Sequence, residues 1–126
     1  MRFMVMVKST KDSEAGIPPS PQLMAGMEKL AQSMTKDGVL LASDGLQPSS
    51  NGVRIRYGGG KRTVTDGPFI EVKELIGGYA IVQARSKEEA IELANRVVDV
   101  HIDAGVAEID MEIRPLFDPD CTAQNS

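Results

Sequence analysis

Two stretches of this chain carry apolar side chains at helical spacing, and each lies between short apolar runs of strand length. In the first, Leu23, Met27, Leu30, Ala31 and Met34 recur every three or four residues and fall on one face. In the second, Ala90, Leu93, Ala94, Val97 and Val98 make the stripe. Both carry start signals. Ser20 is an N-cap, followed by Pro21 at the first helical position, where a missing N–H costs nothing. Ser86 and Glu89 have the spacing of a capping box. Lys36 and Gly38 close the first helix. Each stripe has to be buried, and the flanking runs are the material for a sheet to bury it against.

Those runs have distinct patterns. Residues 2–7 (RFMVMV) and 79–84 (YAIVQA) are apolar almost throughout, as in strands covered on both faces. Residues 39–43 (VLLAS) read as a further strand, after a polar, Pro-containing connection over 9–19 and the first helix. The segment VRIRY (53–57) alternates strictly, with Val53, Ile55 and Tyr57 on one face and both arginines on the other. A glycine-rich tip, GGGK, returns the chain to RTVT (62–65), so the pair predicts a hairpin. The closing strand, 108–116, alternates Ile109, Met111 and Ile113 inward. The order is β-α-β, hairpin, β-α-β: an α+β, ferredoxin-like βαββαβ sandwich with an inserted hairpin. Two helices cover one face of such a sheet. The apolar character of the first and 79–84 strands on both faces therefore predicts a homodimer, with a second copy as cover.

Composition limits the function classes. The chain has 126 residues, enough for one domain, taken as 1–117 with a tail over 118–126. Its net charge of −4 argues against nucleic acid as a partner. Arg54, Arg56, Lys61 and Arg62 do cluster in the hairpin, which reads as a solvated ribbon with charged edges, an anion-binding surface being the other reading. Cys121 is the only cysteine, so no disulfide within the chain and no multi-cysteine metal site is expected. The opening MRFMVMVK is too short for a signal segment or membrane span, and the expected location is cytoplasmic, with no membrane partner.

The segment TVTDGPFIEVKELIGGY (63–79) is the candidate site. Asp66-Gly67 resembles a type I′ turn, but Pro68 pushes Gly67 toward extended geometry, so Asp66 is expected at a strand end or bulge. Extended or irregular chain is expected over 69–76, a short helix also being compatible. Asp66 and Glu74 are the candidate acid and base, since a carboxylate against an apolar wall holds its proton more tightly. Met27, Asp66, Lys73 and Glu74 are the expected ligand contacts. The plainer reading is turn stabilisation by Asp66 and a surface Lys73–Glu71 pair.

These residues carry a resemblance. DGPF at 66–69, E-x-K-E at 71–74 and Gly77-Gly78 look like the signature of the YCII-related family, in its DGPF-motif branch. GVLLASDGLQPSS (38–50), SKEEAIELANR (86–96) and EIDMEIRPLF (108–117) are similar to further family segments in the same order. The resemblance implies a dimeric α/β-barrel form of the ferredoxin-like fold. It also implies either small-molecule chemistry, with a His–Asp pair in some members, or an association with sigma factors. At the helical position of that His this chain offers Gln22, Met24 and Met27.

His101, the only histidine, falls near the C-terminus of the second helix, where the dipole favours it. Its spacing from Asp99 and Asp103 does not aim three ligands at one ion, so no metal is expected, and no cofactor motif is present. Two function classes follow. One is a small-molecule-binding protein or cofactor-independent enzyme moving a proton, as in a lyase or isomerase. The other is a non-catalytic dimeric accessory or regulatory module that binds a sigma factor or another protein.

Overall fold

Both helical stripes come to rest on one side of a single antiparallel sheet. The computed structural model describes residues 1–118. In chain order the elements are β1 (Arg2–Lys8), α1 (Lys11–Glu14), α2 (Pro21–Lys36), β2 (Leu40–Gly45), β3 (Val53–Gly58), β4 (Lys61–Asp66), β5 (Ile76–Gln83), α3 (Lys87–Asp103) and β6 (Met111–Pro115), with 3-10 turns at Ser49–Asn51 and Val72–Glu74. The main sheet runs β2-β5-β1-β6, each neighbouring pair antiparallel, an arrangement consistent with a ferredoxin-like α+β fold. Among the described residues β3 and β4 pair only with each other, as a separate two-stranded ribbon.

Alternation along β1 sorts the core. Phe3 lies opposite Val82, and Val5 opposite Ala80 and Ile113, so these side chains share one face. Phe3, Val5 and Val82 pack there with Met34 of α2 and with Ala90, Leu93 and Ala94 of α3. Phe3, Val5, Val82, Met34 and Leu93 each contribute roughly 1.5–3 kcal/mol of transfer free energy, and the two alanines less, which is what holds the helices down. The opposite face carries Met4, Met6, Tyr79 and Ile81. Within one chain Met6 is already buried and the other three are half-buried. The ribbon carries a more exposed apolar group: Val53, Ile55, Tyr57 and Val64 are 57–71% exposed. The register places Ile55 opposite Val64, so these four share a face.

The helix caps follow the sequence, with one exchange. Ser20 Oγ accepts from the Leu23 N–H, and Ser86 Oγ from the Glu89 N–H. The Glu89 carboxylate does not return the second bond of a capping box; it accepts from Arg85 Nε at 2.8 Å. The reciprocal box forms instead between Thr10 and Ser13, which turns part of the expected 9–19 connection into α1. The hydrogen bond from Arg85 and, less so, its charge pull the Glu89 carboxyl below the usual carboxylate range. A lowered carboxyl stabilises the fold above the ordinary carboxylate range and loses that contribution as pH falls. Glu89→Gln should therefore sit slightly below wild type in Tm at neutral pH and converge with it in acid, as a Tm-against-pH series would show.

Two expectations change in detail. The 79–84 strand starts earlier, at Ile76, and the closing strand is shorter, Met111–Pro115. Over 69–75 the chain is irregular, one of the expected forms, except for a single 3-10 turn at Val72–Glu74; neither a continuous extended run nor a helix over 69–76 forms. Residues 119–126, with Cys121, lie outside the described residues. Asp118 pairs with Arg2 at 3.2 Å.

Candidate functional site

Three segments far apart in sequence meet at one knot of hydrogen bonds. Glu14 ends α1, Ser49 opens the 3-10 turn after β2, and Gly67-Pro68-Phe69 leaves β4. The Ser49 N–H donates to Glu14 Oε1 at 2.9 Å, and the Ser49 hydroxyl donates to Glu14 Oε2. The same hydroxyl oxygen accepts from the Phe69 N–H at 3.0 Å. Glu14 and Ser49 are both half-buried, so these bonds operate in partly desolvated surroundings and are stronger than on the open surface.

The local sequence explains why the loop can approach so closely. The Gly67 N–H donates to the Gly52 carbonyl at 2.9 Å, extending the ribbon one step past the Val53–Asp66 pair. A Cβ on Gly67 would lie 1.8 Å from the Ser49 carbonyl oxygen, so only glycine fits. The Gly67–Pro68 bond is cis. At the far end of the ribbon, Gly59 and Gly60 both take positive φ, 59° and 74°, as a type I′ two-residue turn requires.

Phe69 then folds against the ribbon's polar side. The guanidinium carbon of Arg54 lies 3.8 Å from the centroid of the Phe69 ring. Hydrogen bonds and stacking thus run in series from Glu14 through Ser49 and Phe69 to Arg54.

The residues expected from sequence are spread around this knot. Asp66 is at the strand end as expected, exposed, and on the ribbon face of Val53, away from Arg54. Lys73 and Glu74 lie in the 3-10 turn, both exposed. Met27 is half-buried on α2. Among the described residues no ion pair or side-chain hydrogen bond joins any two of these four, and Lys73 and Glu71 are not within ion-pair reach of each other. Glu14 and Ser49 escaped the sequence reading, because their contact spans 35 positions and neither belongs to a motif of its own.

Elsewhere, an open cleft of about 410 Å3 lies between α2 and α3, lined among others by Gln22, Lys29, Val100 and Asp103. It includes none of the expected site residues, and Gln22 Nε2 ties its two helices by donating to the Asp103 carbonyl at 3.1 Å. The His101 ring nitrogen Nδ1 lies 2.7 Å from the Val97 carbonyl, a bond within its own helix. Among the described residues no group of three or more His, Cys, Asp or Glu is placed to hold a metal ion. No described helix is long and apolar enough to cross a membrane.

An α+β sandwich whose loop after the ribbon is locked by a carboxylate–serine knot is the class of structure these observations define. The chain belongs to the YCII-related domain family, which matches residues 1–113. It is 31% identical over 71 residues to an uncharacterized protein of Rhizobium meliloti (strain 1021), covering 56% of this chain and 54% of that protein. The match thus spans about half the length of that relative.

Proposed function

We propose that the protein binds a small organic molecule at the knot formed by Glu14, Ser49 and Gly67–Phe69, and that it acts there as a cofactor-independent lyase or isomerase. The observation that carries this reading is the half-buried Glu14 carboxylate, held by two hydrogen bonds from Ser49 beside the Gly67–Phe69 segment that follows Asp66 at the end of β4. We place the chain in the DGPF-motif branch on residues 66–69. Glu14 joins Asp66 and Glu74 as a candidate proton carrier; Met27 and Lys73 remain candidate ligand contacts. In the reaction a carboxylate oxygen takes a proton from a substrate carbon. The electron pair left behind either regains a proton at another carbon or expels a leaving group.

A second reading has its own observation. The exposed Val53, Ile55, Tyr57 and Val64 form an apolar ribbon face that suits a second copy of the chain or a sigma factor. On that reading the protein is a non-catalytic, dimeric accessory module, with the ribbon an insertion into a ferredoxin-like core.

A thermal-shift screen against a metabolite library at several pH values separates the two. A ligand raises Tm by mass action only if it binds the folded form. The first reading expects a hit whose Kd rises at least tenfold in Asp66→Asn, with the unliganded Tm little changed, and at least tenfold in Glu14→Gln, whose unliganded Tm also falls because its contact with Ser49 is weakened. A diverse, saturating library without a hit, together with dissociation of a wild-type dimer by Ile55→Asp in light scattering, would establish the second.

A further inference from the structure

We infer that the polar face of the β3–β4 ribbon recognises an oxyanion, the carboxylate or phosphate group of a small molecule, with Arg54 as its fixed guanidinium. The inference rests on the small-molecule reading above and names the charge of the ligand.

Alternation and register assemble the surface. Arg54 lies opposite Thr65, Arg56 opposite Thr63, and Gly58 opposite Lys61, so three cations and two hydroxyls share one face. Among the described residues, none of Arg54, Arg56, Lys61 or Arg62 takes part in an ion pair, although the chain has 18 acidic residues against 14 basic. The one carboxylate of the ribbon, Asp66, is on the opposite face.

Exposure alone would leave these cations as solvated charges with floppy stems. Arg54 is different because its guanidinium stacks on the Phe69 ring at 3.8 Å. With its carbon over the ring and, among the described residues, no hydrogen bond or ion pair from its side chain, the guanidinium keeps N–H groups available for the bidentate grip of a carboxylate or phosphate. The ring itself is positioned, since the Phe69 N–H is held by Ser49 and Ser49 by Glu14. A guanidinium ordered before the ligand arrives loses less conformational freedom on binding. In a chain of net charge −4, such a patch also gives an anion a local attraction that the rest of the surface opposes. Arg54 here contacts the ligand, and Phe69 is a positioning residue.

The test is an NMR titration of the full-length 15N-labelled protein with succinate and, separately, inorganic phosphate, at constant ionic strength with sodium chloride as reference. Saturable shifts of the Arg54 Nε–Hε signal and the Thr63 and Thr65 amides are expected with at least one oxyanion, and which one responds separates carboxylate from phosphate recognition. Kd should rise at least tenfold in Arg54→Gln and several-fold in Phe69→Leu, which keeps an apolar side chain but removes the stacking face. Shifts no larger than those from chloride, or wild-type affinity in Arg54→Gln, would overturn the inference. A neutral library hit weakened by Glu14→Gln but not by Arg54→Gln would also overturn it while leaving the small-molecule reading in place. Oxyanion binding that needs Arg54, found alongside an empty metabolite screen, would support this surface and count against the knot as an active site.

Discussion

Gly67→Ala should be among the most destabilising single-methyl additions available in this protein. The added Cβ would lie 1.8 Å from the Ser49 carbonyl oxygen and 2.6 Å from its carbon. Both are backbone atoms, so no side-chain rotation can relieve the overlap; the loop or the 3-10 turn must move bodily by more than an ångström. Overpacking of this kind costs about 3 kcal/mol or more. The movement would also separate Ser49 from Phe69 and Gly67 from Gly52, so hydrogen bonds are lost along with packing. Urea denaturation of wild type and variant gives the number. Gly45→Ala is the matched control: a Cβ there meets nothing within 4 Å, and its stability should stay within about 0.5 kcal/mol of wild type. Equal stability of Gly67→Ala and wild type would mean that the loop does not approach the turn as described.

The second large effect is expected from Ser49→Ala. One hydroxyl both donates to Glu14 and accepts from the Phe69 N–H, so truncation breaks two bonds at once. Glu14 retains only the Ser49 N–H, and the Phe69 N–H is left without its partner in a half-buried position. A hydrogen bond to a charged group is worth about 1.5–3 kcal/mol and an orphaned donor costs a similar amount, so a loss of about 2–3 kcal/mol is expected after partial relief by water. The variant also tests the series arrangement. A double-mutant cycle of Ser49→Ala with Glu14→Gln should show a coupling of about 1 kcal/mol or more, because both changes break the same contact. Strict additivity would show that Glu14 and Ser49 act independently.

Much of the fold was legible because it rests on local rules. Helical spacing marked α2 and α3 and named the residues that pack at Met34, Ala90, Leu93 and Ala94. Strict alternation and a glycine tip marked the ribbon, including which side chains share a face. The pairing order of the main sheet followed from the order of elements, since connection lengths and handedness leave few arrangements of two βαβ units. Pro68 correctly argued against a type I′ turn at Asp66-Gly67: Gly67 does not take positive φ, and its role is close approach. Where local signals competed, they decided less. Ser86 and Glu89 have capping-box spacing, yet Arg85, immediately before them, takes the Glu89 carboxylate.

The site divides along the same line. By itself the sequence determined that Asp66 stands at a strand end rather than in a type I′ turn and that Arg54 and Arg56 share a ribbon face, because both follow from backbone chemistry within a few residues. Only the tertiary structure decided that Glu14 reaches Ser49, that Ser49 holds Phe69, and that Phe69 carries Arg54. Those contacts join positions 15 to 35 residues apart through side chains that any surface loop could contain. Their meaning comes from the packing that brings α1, the turn after β2 and the end of the ribbon to one point, and no periodicity records where separate loops will meet.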